Sequence, residues 1–294
     1  MPHVIIVTGA GSGIGRLAVR SLMAQGHHVY AGIRDVQGRN AGRAAELAAH
    51  ARATGQHGEA LELDILDEVS IAAAVAHVME AAGRIDVLIH NAAHMYSGIV
   101  EAFTPEQLLR SLDTNAVGAM RVNRAVLPHM RAANAGHLVW VGSGVSRIIP
   151  PFLAAYAAAK AAMDAFAEAT SYEVKPYGID TTIVMPGPFI EGTEHFPKME
   201  GPADGARAAA YDRLAGAIAA NVDATAGLFP PGVSPDPATV GDEIARLVDL
   251  PAGQRPFRTS VDYSDYGDQA ITAVAEAQKR RLFQRMKLEQ LLPA

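Results

Sequence analysis

The sequence lacks cysteine entirely, contains one tryptophan, and devotes only 6% of its 294 residues to aromatic side chains. Without cysteine the chain forms no disulfide bond, thiolate zinc site or iron–sulfur cluster, and it has no cysteine nucleophile. This absence favours a reducing compartment, so we expect a cytoplasmic protein. No apolar run approaches the roughly 18 residues of a membrane span, and the few residues before Val4 leave no room for a signal peptide. We therefore expect no membrane partner.

The chain also lacks an excess of positive charge. Its 25 Lys and Arg residues stand against 31 Asp and Glu residues, which gives a formal net charge of -6. No broad positive field is available to attract nucleic acid, so no nucleic-acid partner is expected and a small molecule is the better hypothesis. The pairs His27-His28 and His90/His94 lack flanking acidic residues and a third placed ligand, so we expect no metal site.

What is present is an alternation of β-branched runs with helical patterns. The predicted strands are Val4–Val7, Val29–Ile33, Ala60–Asp64, Ile85–Ile89, His137–Val141, Ile179–Met185 and Phe257–Asp262. The predicted helices begin near Ile14, Asn40, Asp67, Thr104, Tyr156 and Pro237, and the one from Thr104 is expected to run to about Ala132. Strands of continuous apolar residues are typical of a parallel sheet covered on both faces. The sequence therefore predicts an α/β fold with a Rossmann-like, doubly wound parallel sheet.

The segment 187–237 breaks this alternation. It contains Gly, Pro and scattered Phe residues with one helical island, near Ala208 to Ala220, and we interpret it as an insertion over the site. Regularity then returns, and a charged amphipathic tail runs from about Asp268 to Leu292. We expect a single domain: a dinucleotide-binding domain at 1–262 that includes this substrate lid, followed by a C-terminal helical extension at 263–294.

A glycine-rich loop lies between the first predicted strand and the first predicted helix. It runs from Thr8 to Gly15, with glycines at 9, 11, 13 and 15. Glycines permit a tight turn there, and the backbone N–H groups and the helix dipole face a phosphate. Because the strand and the helix that the motif requires are both present, the loop predicts a nucleotide site.

The spacing T-G-x-x-x-G-x-G resembles that of the short-chain dehydrogenase/reductase family, of the compact, classical type. The family's Y-x-x-x-K motif matches Tyr156 to Lys160, and its active-site serine matches Ser143, thirteen residues before Tyr156. The resemblance implies four catalytic residues: Asn115, Ser143, Tyr156 and Lys160. It also implies that the cofactor is held by Thr8, Gly9, Gly11, Ser12, Gly13, Ile14, Gly15, Arg34, Asp64, Ile65, Asn91, Ala92, Tyr156, Lys160, Pro186, Gly187 and Phe189.

Three features depart from the family pattern. The family's N-N-A-G appears as His90 to Ala93, without the glycine. The threonine common five residues after the proline of the Pro-Gly turn is Glu191 here, with Thr193 nearby. The tail beyond Asp262 is longer than the family's compact core.

The residues also suit hydride chemistry on physical grounds. Tyr156 and Lys160 are four apart on one predicted helix, so their side chains share a face. We expect the lysine ammonium to lower the pKa of the phenol from about 10 towards neutrality, where proton transfer is efficient. The resemblance implies that Tyr156 supplies the proton, Ser143 binds the carbonyl oxygen, Lys160 also holds the nicotinamide ribose, and Asn115 holds a water that links Lys160 to solvent.

The cofactor choice depends on the end of the second strand. Ile33 occupies the family's acidic position and Arg34 follows it, which favours the 2′-phosphate of NADP. Two observations favour NAD instead. Asp35 lies twenty residues past Gly15, where a generic fingerprint places the acid that binds the NAD ribose, and Ser12 stands where many NADP-using relatives have a basic residue. The sequence therefore predicts NADP, with NAD as the alternative.

Mostly apolar side chains are expected around the reacting carbonyl. They are His94, Met95, Tyr96, Val145, Phe152, Pro188 and Phe189, with Phe196 and Phe229 on the insertion. The predicted function is an NADP(H)-dependent oxidoreductase that interconverts a ketone or aldehyde and an alcohol on a small to medium, mostly hydrophobic substrate. The alternatives are an NAD-dependent alcohol dehydrogenase, a non-catalytic NADP-sensing regulatory protein and an epimerase or dehydratase. We also expect a homodimer or homotetramer, in which the tail packs on its own or a partner subunit.

Overall fold

A computed structural model describes residues 2–293 and shows one seven-stranded, fully parallel sheet. The strands are β1 (Val4–Thr8), β2 (His28–Ile33), β3 (Gly58–Glu62), β4 (Val87–His90), β5 (Gly136–Val141), β6 (Ile179–Pro186) and β7 (Arg258–Val261). Their spatial order is β3-β2-β1-β4-β5-β6-β7. The predicted doubly wound α/β fold is confirmed.

Eleven α-helices connect or follow the strands over residues 2–293. They are α1 (Gly13–Ala24), α2 (Ala41–Thr54), α3 (Glu68–Ala82), α4 (Pro105–Leu112), α5 (Gly118–Ala133), α6 (Ala154–Val174), α7 (Gly205–Ala209), α8 (Ala215–Ala219), α9 (Asn221–Ala226), α10 (Ala238–Asp249) and α11 (Asp268–Met286). Over the same range, none of these helices combines the length and the apolar character needed to cross a bilayer.

Both faces of the sheet are buried, as β1 illustrates. Ile5 and Val7 belong to one hydrophobic cluster, which includes α1 and α10 residues, whereas Val4 and Ile6 belong to a second cluster with α3, α5 and α6 residues. Successive side chains of a strand point to opposite faces, so a run of apolar residues feeds both cores. This is why the strands lack the alternation of a half-exposed sheet.

Three predicted elements differ from the observed ones. The helix from Thr104 is interrupted by a π-helical turn at Asp113–Val117, which separates α4 from α5. The third strand ends at Glu62, two residues before its expected end, because its pairing with β2 stops there. The single helical island on the insertion is several short pieces, α7 to α9 and a 3₁₀ turn at Asp212–Leu214.

The carboxyl ends of the strands meet at one edge of the sheet. The strand order reverses between β1 and β4, and such a switch point leaves a crevice in which ligands bind. The glycine-rich loop follows β1, Arg34 follows β2, Asn91 follows β4 and Ser143 lies beyond β5. Residues far apart in the sequence are therefore gathered at this edge.

Candidate active site

The glycine-rich loop is held so tightly that side chains are excluded from it. Gly9 has a φ of 64°, and a Cβ atom there would lie 2.6 Å from the Cα of Ala92. A Cβ atom on Gly15 would lie 2.3 Å from Nδ2 of Asn91. Gly13 also has a positive φ, of 51°. The loop thus requires glycine for its own conformation and for the approach of the β4 loop, and its backbone is exposed to a cleft beside α1. This arrangement fits a bound dinucleotide phosphate.

Thr8 and Asn91 lock the loops after β1 and β4 together. The Thr8 hydroxyl accepts hydrogen bonds from the backbone N–H groups of Asn91 (3.0 Å) and Ala92 (3.2 Å). The Asn91 amide donates in return to the carbonyl oxygens of Thr8 (3.0 Å) and Gly9 (3.1 Å). Thr8 and Gly15 thus lie behind the cleft wall, where they shape the loop.

A cleft of about 1400 Å³, including space open to solvent, runs along this edge. Ten of the predicted cofactor residues line it: Gly9, Gly11, Ser12, Gly13, Ile14, Arg34, Asp64, Ile65, Asn91 and Ala92. Arg39 and Arg43 line it as well, so three arginines surround the end near β2. The residues present therefore fit a bound dinucleotide.

Arg34 and Asp35 differ in where they lie. Arg34 is exposed on the cleft, whereas Asp35 is not among the residues that line it. The Asp35 carboxylate accepts a hydrogen bond from the backbone N–H of Arg39 (3.1 Å), and its own N–H donates to Glu62 (2.7 Å). Its φ of 55° places it in the left-handed region, which Asp tolerates better than most residues. Asp35 thus stabilises the turn before α2.

Ser143, Tyr156 and Lys160 line one cavity of about 990 Å³, including space open to solvent, beside the nucleotide cleft. Ser143 follows β5 and begins a short 3₁₀ turn, and Tyr156 and Lys160 project from the first half of α6. The Lys160 ammonium donates to the carbonyl oxygen of Val141 (2.8 Å) and lies 5.8 Å from the centroid of the Tyr156 ring. Pro186, Gly187 and Phe189 line the same cavity.

The ionisation of this pair departs from the sequence-based expectation. Burial raises the pKa of Tyr156, although we expected Lys160 to lower it. Burial also lowers the pKa of Lys160, to about 8. Both shifts have one cause: the surroundings are apolar, and each charged form loses its hydration there. In this structure the phenol is therefore protonated at neutral pH and suited to donate a proton.

The Asn115 side chain is committed to the protein. Its Oδ1 accepts from the backbone N–H of His94 (2.8 Å), and its Nδ2 donates to the carbonyl oxygens of His94 (3.0 Å) and Ser111 (2.9 Å). Both amide protons are used, so the side chain does not donate to the expected water. Asn115 lies in the π-helical turn, and it positions the loop after β4.

The expected substrate residues divide into two groups. Met95, Val145, Pro188, Phe189 and Phe196 line the cavity that contains Ser143 and Tyr156. Tyr96, Phe152 and Phe229 do not line it: Tyr96 is buried against Phe103, and Phe152 lies in the turn before α6. His94 lines the nucleotide cleft instead. The structure thus places these four residues outside the lining of the cavity that contains Tyr156.

The cavity lining also includes residues that the sequence did not predict at the site. Among them are His195, Asn221, Thr225, Leu228 and Tyr266. Tyr266 comes from the C-terminal extension, where its hydroxyl donates to the carbonyl oxygen of Ile148 (3.0 Å) and a Cβ atom on Gly144 would lie 2.9 Å from its ring. No local motif marks these residues, so the order of the folded segments alone brings them to the site.

The structure accommodates two departures from the family pattern: Ala93 in place of a glycine, and Glu191 in place of a threonine. Ala93, which replaces the family's glycine, is not among the residues with positive φ, so its side chain causes no backbone strain. Glu191 is exposed, whereas Thr193 lines the cavity and donates its hydroxyl to the carbonyl oxygen of Phe189 (3.2 Å). Thr193 is therefore the better placed of the two to contact a cofactor.

Glu194 connects the insertion to the nucleotide cleft. Its carboxylate accepts from Arg43 at 2.8 and 3.1 Å and from Lys198 at 2.7 Å. Burial alone raises its pKa, but hydrogen bonds from Lys198, Ser12 and Arg43 outweigh this effect and lower the pKa of Glu194 to about 2. The segment 187–237 thus reaches across the cleft from β6 to α2.

Comparisons with known proteins agree with this geometry. The profile of the family described as short chain dehydrogenase matches residues 3–200. The 3-ketodihydrosphingosine reductase of Bacteroides thetaiotaomicron is 34% identical over 193 residues, which cover 65% of each chain. The 17-beta-hydroxysteroid dehydrogenase type 1 of Homo sapiens is 36% identical over 188 residues, which cover 63% of this chain and 56% of that protein. The matches thus span less than two thirds of these two relatives.

A solved structure is similar over nearly the whole chain. The crystal structure of a short-chain dehydrogenase from Streptomyces avermitilis superposes with a TM-score of 0.75 at 26% identity, and the match covers 98% of this chain and 97% of that one. The fold and site thus define a Rossmann-type dinucleotide-binding protein. More narrowly, the chain belongs to the short-chain dehydrogenase/reductase family.

Proposed function

We propose that this protein is an NADP(H)-dependent oxidoreductase that interconverts a ketone or aldehyde and an alcohol. One observation carries the proposal: the cavity that holds Ser143, Tyr156 and Lys160 opens onto the nucleotide cleft. The two spaces share lining residues, among them Asn91 and His195. A carbonyl carbon in this cavity would lie beside a nicotinamide placed at the end of the cleft.

The roles of the side chains follow from their positions. When bound, the nicotinamide supplies or accepts the hydride. Tyr156 donates its hydroxyl proton to the oxygen of the reduced substrate, and its raised pKa keeps that proton in place at neutral pH. The Ser143 hydroxyl donates to the same oxygen and orients it. Lys160 stabilises the phenolate that remains and would hold the nicotinamide ribose, and Asn115 positions the loop at His94.

The NADP preference is supported by charge around the cleft. Arg34, Arg39 and Arg43 line its β2 end. Arg39 pairs with Asp35 (3.5 Å) and Arg43 with Glu194 (2.8 Å), whereas the Arg34 guanidinium forms no ion pair within residues 2–293 and can donate paired hydrogen bonds to a 2′-phosphate. The acid that would favour NAD, Asp35, faces the turn before α2. We therefore keep NADP ahead of NAD.

The substrate is proposed to be small to medium in size and mostly hydrophobic. Apart from Lys160, the cavity lining contains no Arg, Lys, Asp or Glu over residues 2–293. An anionic substrate would lack a dedicated cation there. The names of the two relatives denote reduction of a ketosphingoid base and dehydrogenation of a hydroxysteroid, which agrees with an oxygen function on an apolar body.

We also propose one domain over 1–262 with the lid 187–237, and a C-terminal extension at 263–294. The lack of cysteine supports a cytoplasmic location. Leu109, Val117 and Phe166 are exposed on α4, the π-helical turn and α6, and this apolar surface supports a homodimer or homotetramer.

A panel of ketones and alcohols, followed by NADPH absorbance, tests the proposed reaction. Tyr156→Phe should lower turnover by about 10²–10⁴-fold with little change in NADPH affinity, because the ring stays and the proton is lost. Tyr172→Phe is the matched control, since Tyr172 lies on the same helix and donates to Glu168 (2.8 Å) outside the cavity. Retention of a tenth of the activity in Tyr156→Phe would remove Tyr156 from the mechanism. NADPH binding without turnover of any compound would favour the sensor alternative.

A further inference from the structure

The substrate cavity has a polar region on the lid, separate from Ser143 and Tyr156. Asn221 and Thr225 of α9 line the cavity, next to the apolar residue Leu228. The Thr225 hydroxyl donates to the carbonyl oxygen of Asn221 within the helix (2.8 Å). In contrast, the Asn221 amide forms no side-chain hydrogen bond with any residue between 2 and 293. An amide that is half-buried and unpaired is available to a ligand.

A second unpaired polar group borders the same space. His195 lines both the substrate cavity and the nucleotide cleft, and its imidazole has no hydrogen-bond partner within residues 2–293. Burial, and to a smaller extent the nearby charges of Lys160 and His94, lower the pKa of His195 to about 4. The imidazole is therefore neutral at physiological pH and attracts no anion.

We propose that Asn221 is a specificity-determining residue that binds an uncharged polar group of the substrate, remote from the reacting carbonyl. This inference rests on the proposed function and narrows its substrate class to bifunctional compounds. Such a compound has an apolar body, a carbonyl or hydroxyl at Ser143 and Tyr156, and a second hydroxyl, ether or carbonyl oxygen facing the lid. The neutral imidazole of His195 offers the substrate a second hydrogen-bonding group, where the cavity meets the nucleotide cleft.

The chemistry of an amide explains why the second group is uncharged. Asn offers two donors and one acceptor oxygen, which match a hydroxyl in either direction. It offers no charge to offset the desolvation of a carboxylate or an ammonium group. Much of the remaining cavity lining is apolar, with Val145, Leu153 and Phe196 among it, so the body of the substrate is apolar too.

A ligand series separates this role from a general effect of the lid. Benzylacetone, its para-hydroxy analogue and its para-carboxy analogue share one ketone and differ only at the remote end. Homologues with one or two additional methylene groups vary the distance between the two ends. Binding is measured by calorimetry to NADPH-loaded Tyr156→Phe protein, in which turnover is about 10²–10⁴-fold slower, with and without Asn221→Leu.

We expect at least one para-hydroxy ligand to bind about 3- to 10-fold more tightly than its unsubstituted parent, as one net hydrogen bond would provide. The para-carboxy ligand should bind more weakly than the hydroxy ligand. In Asn221→Leu the advantage of the hydroxy ligand should disappear. Leu228→Ala is the matched control on the same lid surface: it should weaken the hydroxy and unsubstituted ligands alike and keep their ratio.

Two results would overturn the proposal: equal binding of hydroxy and unsubstituted ligands at every chain length, or an advantage that survives in Asn221→Leu. Turnover of the same ketones by protein with an intact Tyr156 is measured separately. If the binding ratios behave as expected but no ketone is reduced with NADPH or NADH, the polar region stands and the proposed reaction fails. If the ketones are reduced but the ratios do not respond to Asn221→Leu, the reaction stands and this inference fails.

Discussion

Tyr156 and Lys160 are both buried on α6, and burial shifts their pKa values in opposite directions. Burial raises the pKa of Tyr156 and lowers that of Lys160 to about 8, so the pair loses its first proton near pH 8. Below this pH both groups are protonated, which suits donation of a proton to a reduced carbonyl. Above this pH Lys160 has lost its proton, so the pair can accept one proton from an alcohol.

The two reaction directions should therefore depend on pH with opposite signs. We expect kcat/KM for ketone reduction to fall, and kcat/KM for alcohol oxidation to rise, as the pH increases through about 8. Initial rates in both directions, with circular dichroism at each pH as the check on folding, measure this. Profiles that change in the same direction would contradict the assignment of the proton to this pair.

Arg34 is the residue for which the cofactor preference is most directly testable. Hydrogen bonds to a charged group contribute about 1.5–3 kcal/mol, so Arg34→Ala should weaken NADPH use by roughly 10- to 150-fold and leave NADH use nearly unchanged. The ratio of kcat/KM for the two cofactors at fixed ionic strength is the measurement, since salt screens exposed charges.

Two variants control this experiment. Arg52→Ala removes the same charge at the exposed end of α2, away from the cleft, and should leave the ratio unchanged. The double variant with Arg39→Ala tests whether a neighbouring arginine compensates for Arg34. A natural preference for NADH, or a ratio that does not move in Arg34→Ala, would show that the NADP assignment is wrong.

At the scale of elements, the insertion 187–237 has little regular structure, yet several of its residues line the cavity and the nucleotide cleft. Its short helices α7 to α9 leave long stretches of loop, yet Glu194 binds Arg43 across the cleft and Asn221 lines the cavity. Segments of this kind open and close around ligands in many enzymes. We infer that it is a lid, held to α2 by the Glu194–Arg43 ion pair.

Saturating NADPH should slow proteolysis within 187–237 because closure buries the cleavable backbone. Glu194→Gln should accelerate cleavage of the ligand-free protein, since the ion pair with Arg43 is lost. Mass spectrometry of the fragments over time gives the rates, with cleavage outside this segment as the internal control. Equal cleavage rates with and without NADPH plus inhibitor would mean that the segment is not a lid.

The C-terminal helix α11 is attached to the catalytic helix by charge and aromatic contact. Lys279 of α11 pairs with Glu168 of α6 (3.0 Å), and the rings of Phe283 and Tyr172 lie 4.9 Å apart. On β7, Arg258 is almost fully buried and pairs with Asp164 and Glu168. The amphipathic tail therefore packs on its own chain, which was one of the two sequence-based expectations.

At the scale of the whole molecule, the exposed apolar surface formed by α4, the π-helical turn and α6 is available for contact with a second chain. Leu109 is 65% exposed, and exposed alanines of α6, such as Ala158, Ala161 and Ala165, permit close approach of a second helix. This surface lies opposite the part of α6 that carries Tyr156 into the cavity. Association of two chains through it would bury α6 on both sides.

We expect a dimer or tetramer of the 30.9 kDa chain at micromolar concentration. Light scattering coupled to size exclusion measures the mass directly. Phe166→Glu should shift the distribution towards the monomer, because a buried charge opposes association. Glu173→Gln is the control at an exposed position on the same helix. A mass of one chain for the natural sequence would contradict the expectation.

The sequence alone predicted the sheet and the glycine-rich loop, and its resemblance to the family predicted the set of Ser143, Tyr156 and Lys160. The sheet and the loop follow from local rules: strand and helix periods, and a glycine motif at the end of a strand that a parallel sheet brings to one edge. The alternation also located each strand to within about two residues, since β-branched runs mark them.

Only the tertiary structure determined which distant side chains contact one another at the site. The backbone N–H of Arg39 holds the Asp35 carboxylate in the turn before α2, and the Asn115 amide is bonded to His94 and Ser111. Tyr266 reaches Ile148 across 118 residues of sequence, and Asn221 enters the cavity from a lid with no motif. Contacts of this kind depend on how distant segments pack, and packing is a property of the whole chain rather than of any window of residues.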